Sequence, residues 1–301
     1  MSGVLSNIWR HPLKSHGREE LDHANLNVAQ AMPWDRHWAV LHDSSKKVTD
    51  NEGWMSCLNF SRGSKAPALM AINANFDENK KELTLSHPEI GNVRFQPNSE
   101  EGQKKFLEWV MPICPQDRAL PSGIYELPER GLTDTPYASI SINNHSSNRA
   151  VGQILGYEVS PLRWRGNLWF DGLAPWEEFD WIGMDLRVGS VELHVKERIE
   201  RCLATTANPD TGVRDADTLK ALNSRGHQDF GVYAVVTKTG SITLGGGIGG
   251  SDSAQEYSLV DVNADGMPDM VFKSGGVIKA RFNLGGSFSP TVTISNLYRF
   301  Q

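Results

Sequence analysis

The 301-residue chain has only three cysteines, Cys57, Cys114 and Cys202. They are far apart, odd in number and form no C-x-x-C pair. That argues against a disulfide scaffold, a structural zinc site and a four-cysteine iron–sulfur cluster. Three thiols without a framework point to a reducing compartment. No apolar run approaches the ~20 residues that a membrane-crossing helix needs. The opening MSGVLSNIWRHPLKS lacks the continuous apolar stretch of a secretory signal. Basic charge is short as well: 30 Lys and Arg against 36 Asp and Glu leave a net charge of −6, which disfavours a general nucleic-acid binder. The expectation is a cytoplasmic protein that engages neither membrane nor nucleic acid. Cations can still be gathered locally, and an anionic cofactor needs only a few.

What is present is glycine, tryptophan and many short alternating segments, which predict a mainly β (α+β) fold with a few short helices. Strands are predicted over 4–10, 68–74, 82–86, 92–96, 138–143, 191–195, 230–236 and 241–244. Helices are predicted over 99–110, 146–155 (capped by Ser146 or Ser147) and 217–224. The proline-rich 114–128 reads as a connection, and GGGIGGSDS at 245–253 as a flexible linker. This divides the chain into an N-terminal β-domain (1–120), a second β-domain (121–248) and a small C-terminal β unit (249–301).

Cys202 is the residue of most chemical interest. It stands between Arg201 and the pair Thr205-Thr206, and nearby positive charge favours the ionised, metal-binding or nucleophilic form of a thiol. A lone cysteine is also commonly a small buried hydrophobe. Cys57 and Cys114 read as packing residues or incidental thiols. Lys14-Ser15, on the turn after His11-Pro12, is either a solvated loop or a phosphate contact made by ammonium and hydroxyl. Arg36 either pairs with Asp35 or binds an anion. Thr133, Asp134 and Thr135 form a turn or a polar contact. Arg163, Arg165 and Asn167 offer planar donors for phosphate and an amide for a heterocycle edge. Glu177 and Glu178 read as a solvated helix face, Trp176 and Trp181 as core, and His227 as a structural hydrogen-bonding residue.

The segments RWRGNLWFDG, PWEEFDWIG, LRVG, ERCLATTANPDTG and FGVYAVV, in that order, resemble the MOSC domain. IWRHPLKS followed by WDRHWAVLHD resembles the β-domain preceding MOSC in the mitochondrial amidoxime-reducing component and its bacterial relatives. The resemblance covers about residues 1 to 248. It implies that molybdenum cofactor binds in a groove between the two domains, with Cys202 as molybdenum ligand. It also implies that Lys14, Ser15, Arg36 and Arg165 take the cofactor's phosphate side, that Thr133, Thr135 and Asn167 hold its pterin, and that Arg201 joins the cofactor site beside Cys202. The implied activity is reduction of a small N-hydroxylated substrate with electrons from a separate ferredoxin- or flavoprotein-like donor. A sulfur carrier holding a persulfide on Cys202 is the alternative. Where those relatives carry a T-A-R-Q-like motif this chain has TDNEGWMSCLNFSRG, which leaves the substrate side open.

The tail reads differently. YSLVDVNADGMPDMVFKSGGVIKARFNLGGSFSP resembles one FG-GAP/VCBS repeat. Asp261, Asn263, Asp265 and Asp269 stand at the first, third, fifth and ninth positions of a calcium-type loop around Gly266. Calcium binding and a metal-free Asp/Asn turn are the two readings. One blade cannot close a propeller, so the unit is expected to pack on the body, to pair with another chain or to be poorly ordered.

Overall fold

The computed structural model describes residues 3–250, 258–274, 277–284, 289 and 291–294. An eight-stranded sheet carries the architecture. Its spatial order is Ile248–Gly250, Asp185–Val188, Val191–Glu200, Asp229–Lys238, Ile140–Asn144, Leu168–Asp171, Val4–Arg10 and Glu19–Leu21. Alternation decides which face turns inward: Val191, Leu193 and Val195 are buried, while Glu192 and His194 between them are not. With Leu5, Ile8, Ile142, Leu168 and Val232 they form the main core, where each fully buried aliphatic side chain contributes about 1.5–3 kcal/mol. Ile140–Asn144 and Leu168–Asp171 run parallel. Parallel neighbours require a crossover, and the helix His145–Leu155 lies within it.

A second core (Leu13, Trp38, Leu83, Phe95, Phe106) packs the meander Asn73–Asp77, Glu82–His87, Gly91–Phe95 against the helix Glu100–Val110. Ser99 caps that helix by accepting from Gly102 N, Glu100 and Glu101 favour its positive end, and Gly102, Phe106 and Val110 bury one face at four-residue spacing. The sequence boundary at residue 120 is crossed in both directions. Val4–Arg10 pairs with Leu168–Asp171, His23–Leu26 with Gly240–Thr243, and Pro121–Glu126 with Trp38–His42. The two halves share strands, so a groove between them takes walls from both.

Several elements differ from their sequence expectation. Residues 68–74 open as a 3-10 turn, Pro67–Ala71, because proline sits well at a first helical position; the strand begins at Asn73. The proline-rich connection contains the strand Pro121–Glu126, whose first residue needs no N–H. The helix at 145 is capped by Asn144, which accepts from Ser146 N at 2.8 Å, and not by Ser146 or Ser147. The glycine-rich linker is partly sheet: Ile248–Gly250 pairs with Asp185–Val188 because the Ile248 side chain completes the core. Residues 251–257 lie outside the described residues.

The tail forms a four-stranded antiparallel sheet, Ser258–Val260, Asp269–Ser274, Val277–Arg281 and Val292–Thr293. It touches the body where Thr291 Oγ1 donates to Asp180 Oδ2 (3.0 Å) and Arg281 approaches Glu177 (3.9 Å). The calcium reading of its loop gains no support. Asp269 is fully buried and accepts from Val262 N and Asn283 N; Asp261 accepts from Asp265 N and Gly266 N; Asn263 donates to Asp265. These oxygens tie the turn together. Among the described residues no group of three or more His, Cys, Asp or Glu side chains is disposed to hold a metal ion.

Candidate functional site

A cavity of about 260 Å³ opens where the two halves meet, with Lys14, Ser15, Arg36, Arg165, Arg201 and Cys202 in its lining. Lys14 ends a two-residue strand that pairs with Trp38–Ala39. Arg165 follows the 3-10 turn Pro161–Trp164, and Arg201 follows the strand Val191–Glu200. Cys202, exposed, precedes the turn Leu203–Thr206. Ser15 (φ 64°), Arg36 (φ 51°) and Arg165 (φ 50°) all hold the left-handed backbone that side-chain-bearing residues rarely adopt. Such conformations cost about 1–3 kcal/mol each and persist where surrounding packing enforces them, often at binding sites.

The cations differ in how they are neutralised. Lys14 Nζ donates to Asp134 Oδ1 (2.6 Å) and Leu132 O (2.5 Å). Arg36 pairs with the buried Asp35 and donates to Arg165 O at 2.9 Å. Arg163 pairs with Asp215 at 2.6 Å. Among the described residues Arg165 and Arg201 have no carboxylate partner within ion-pair distance. Arg165 Nη2 donates to Gly17 O (3.0 Å), while its Nη1 is buried with no partner. Arg201 donates to the carbonyls of Phe230 (2.8 Å) and Trp164 (2.7 Å) and to Asn143 Oδ1 (3.0 Å). Burial, then Arg36 and Arg18 nearby, lowers the Arg165 guanidinium to about 9. Burial likewise lowers Arg201 to about 10, against the pull of Tyr233, Cys202 and Asp134. For Asp134, burial pushes the carboxyl up, but Lys14 and Arg36 outweigh it and hold it below its usual range.

Asn143, which the sequence did not flag, sets the Arg201 fork. It is fully buried and its Nδ2 has no partner. Gly166 and Gly231 pack against it so closely that a Cβ would lie 1.8 Å and 2.5 Å from its side-chain atoms. Gly166 and Gly231 are 23 and 88 residues away in sequence, so no local signal marked Asn143. Arg62 and Cys57 also line the cleft, with Arg62 Nη1 donating to Cys57 Sγ at 3.4 Å. Cys57 is thus a lining residue rather than core, because its short turn Cys57–Asn59 faces the groove.

Thr133, Thr135 and Asn167 are not in the lining. Thr133 and Thr135 are buried and bond Tyr137 O, with Arg130 donating to Thr133. Asn167 Oδ1 accepts from Ser141 and its Nδ2 donates to Trp9 O. Their polar atoms are spent inside the fold, bracing the loops that carry Lys14's partner Asp134 and Arg165. Glu178 is not on a solvated face. It is fully buried under the helix His145–Leu155, accepts from Asn144 and Ser147 at 2.9 Å each, and leaves Oε1 without a partner. Burial pushes its carboxyl up to about 7. His227 accepts from Asp229 N at 3.1 Å.

An exposed thiol on the same cleft as two guanidiniums that make no ion pair among the described residues suits a phosphorylated, sulfur-ligated anion, and the unpartnered Arg165 Nη1 is a donor left for one. The residues present therefore fit the cofactor that the sequence resemblance implies.

Comparison with known proteins gives a consistent picture. The chain is 22% identical over 287 residues to mitochondrial amidoxime-reducing component 1 of Danio rerio, covering 81% of this chain and 83% of that one. It is 22% identical over 291 residues to component 2 of Bos taurus, covering 81% and 82%. A 94-residue stretch, 27% of this chain and 28% of the relative, is 35% identical to component 2 of Homo sapiens. Among solved structures the YUAD protein from Bacillus subtilis aligns over 82% of this chain and 94% of its own at 11% identity, with a TM-score of 0.42. No described helix is long and apolar enough to cross a membrane. The MOSC N-terminal beta barrel domain matches residues 2–111 and the MOSC domain residues 130–248, neither reaching the tail, and the chain is accordingly a MOSC-domain protein homologous to the mitochondrial amidoxime-reducing components.

Proposed function

We propose that this protein is a molybdenum-cofactor enzyme that reduces a small N-hydroxylated substrate, with Cys202 as the protein's ligand to the metal. The observation that carries the reading is the placement of Arg165 and Arg201, without carboxylate partners, on the cleft that Cys202 lines. Such charges are costly unless an anion arrives, and an anion that needs a thiolate as well as phosphate donors is a specific one. When bound, the cofactor would supply the two-electron step that cleaves the N–O bond.

The chain's own part is binding and orientation. Arg165, Arg201 and Ser15 offer donors to the anionic end, and Lys14 and Arg36, each paired with a carboxylate, complete the cationic wall. Tyr233, raised by burial and then by Asp134, keeps its proton and can donate a hydrogen bond in the cleft. With three cysteines in all, the chain has no iron–sulfur module of its own, so electrons come from a separate protein.

Metal and pterin analysis of protein made in a cofactor-producing host tests this. Molybdenum at about one per chain is expected in the wild type, from the single thiol-ligand site. Cys202→Ser should lose the metal's thiolate ligation and the reductase activity. A second reading is a sulfur carrier, favoured by the exposure of Cys202 and by Cys57 on the same cleft. Pterin-free protein bearing a cyanolysable sulfur on Cys202 would establish it instead.

A further inference from the structure

A second cavity of about 300 Å³ adjoins the cleft, and Arg62 lines both. Its walls combine apolar surface from Pro115 and Ala119 with three cations, Arg62, Lys65 and Arg118, against one carboxylate, Asp117. Arg62 contacts the Cys57 thiol, and among the described residues no ion pair engages Arg62, Lys65 or Arg118. Two further lining residues hold unsatisfied buried atoms: Ser61 Oγ and His42 Nδ1 have no hydrogen-bond partner, although His42 Nε2 bonds Leu58 O at 2.8 Å. Buried polar atoms are normally paired, so an open pocket that leaves two of them idle beside unmatched cations is built for a polar ligand. The apolar wall asks for a hydrocarbon body on the same molecule. All these lining residues lie at 42–66 or 114–121.

We propose that this side pocket is the substrate-recognition site and that it selects substrates bearing a carboxylate on an aromatic or aliphatic body. The inference rests on the reductase reading for the identity of the reacting group, but the anion selectivity stands on the pocket alone. Arg62, Lys65 and Arg118 bind the carboxylate, Pro115 and Ala119 face the apolar body, and Arg62 is the wall shared with the cleft that Cys202 lines.

The test uses the full-length, cofactor-loaded chain and two probes, 4-carboxybenzamidoxime and its methyl ester. Binding is measured by calorimetry and turnover by steady-state kinetics. The carboxylate should bind about tenfold more tightly than the ester, as expected for charge-assisted pairing at a partly screened site. The double variant Lys65→Gln/Arg118→Gln, both exposed positions where folding is not at stake, should lose that preference through KM with kcat unchanged. Equal affinity of the wild type for the two probes overturns the proposal, and so does a preference that survives in the variant. A carboxylate preference in binding without reduction of either probe leaves the pocket assignment standing and removes the reductase reading instead.

Discussion

Replacing Arg165 with Met should make the cofactor-free protein more stable and less able to hold an anion. Lowering of the Arg165 guanidinium from 12.5 to about 9 corresponds to roughly 5 kcal/mol if the charge were wholly shielded from water. The residue is only half-buried and the cleft mouth is wet, so screening leaves roughly 2 kcal/mol. Methionine fills a similar volume without the charge, and the substitution gives up the bond to Gly17 O, worth about 1 kcal/mol. The net gain is about 1 kcal/mol, a rise of about 2 °C in Tm for a chain of this size. Left-handed backbone at this position strains arginine and methionine alike and drops out of the comparison. Inorganic phosphate serves as the stand-in ligand: at ten times its Kd it should stabilise the wild type by about 1.4 kcal/mol and the variant by much less. Thermal melts in low-salt buffer, with and without phosphate, read both effects. A variant that melts below the wild type in phosphate-free buffer, yet keeps the full phosphate response, would show that Arg165 is a structural cation and refute the reasoning.

Asn143→Asp tests the same logic from the other side: a carboxylate facing Arg201 should raise Tm, by roughly 1 kcal/mol of charge-assisted bonding, and blunt the phosphate response. If both effects run the opposite way, Arg201 is already neutralised by another group. Glu178 should make stability depend on pH. Its folded carboxyl is raised from 4.5 to about 7, so the stabilisation is complete below pH 4.5, is lost as pH rises toward 7, and amounts to about 3 kcal/mol at most. Urea denaturation of Glu178→Gln should therefore show near-equality with the wild type at pH 4.5 and a more stable variant at pH 8. A constant difference across that range would mean the carboxyl titrates normally.

Local signals in the sequence were sufficient wherever chemistry and backbone act over a few residues. Alternation at Val191–Val195 marked a strand, Ser99 with its following glutamates marked a helix start, and the Lys14-Ser15 and Arg201-Cys202 pairs marked charge and thiol worth watching. Longer-range consequences were hidden. Glu178 looks solvated beside Glu177, and only the packing of Asn144 and Ser147 over it makes it a buried acid. Thr133, Thr135 and Asn167 have suitable groups for a ligand, but other partners claim them first: Arg130 and Tyr137 O within the same turn for the threonines, and Ser141 and Trp9 from other strands for Asn167. Cys57 looks like a packing residue until its turn is seen to face the cleft.

The amino-acid order by itself determined a mainly β chain with a MOSC character, a thiol beside an arginine, and a tail of different composition. Which cations share a wall was decided only in three dimensions. Lys14 and Arg201 are separated by most of the chain and meet because strands from both halves pair across the boundary. The tertiary structure also decided which charges are matched. Whether a guanidinium finds a carboxylate, a carbonyl or nothing depends on atoms brought in by other strands, and sequence spacing does not encode that distance.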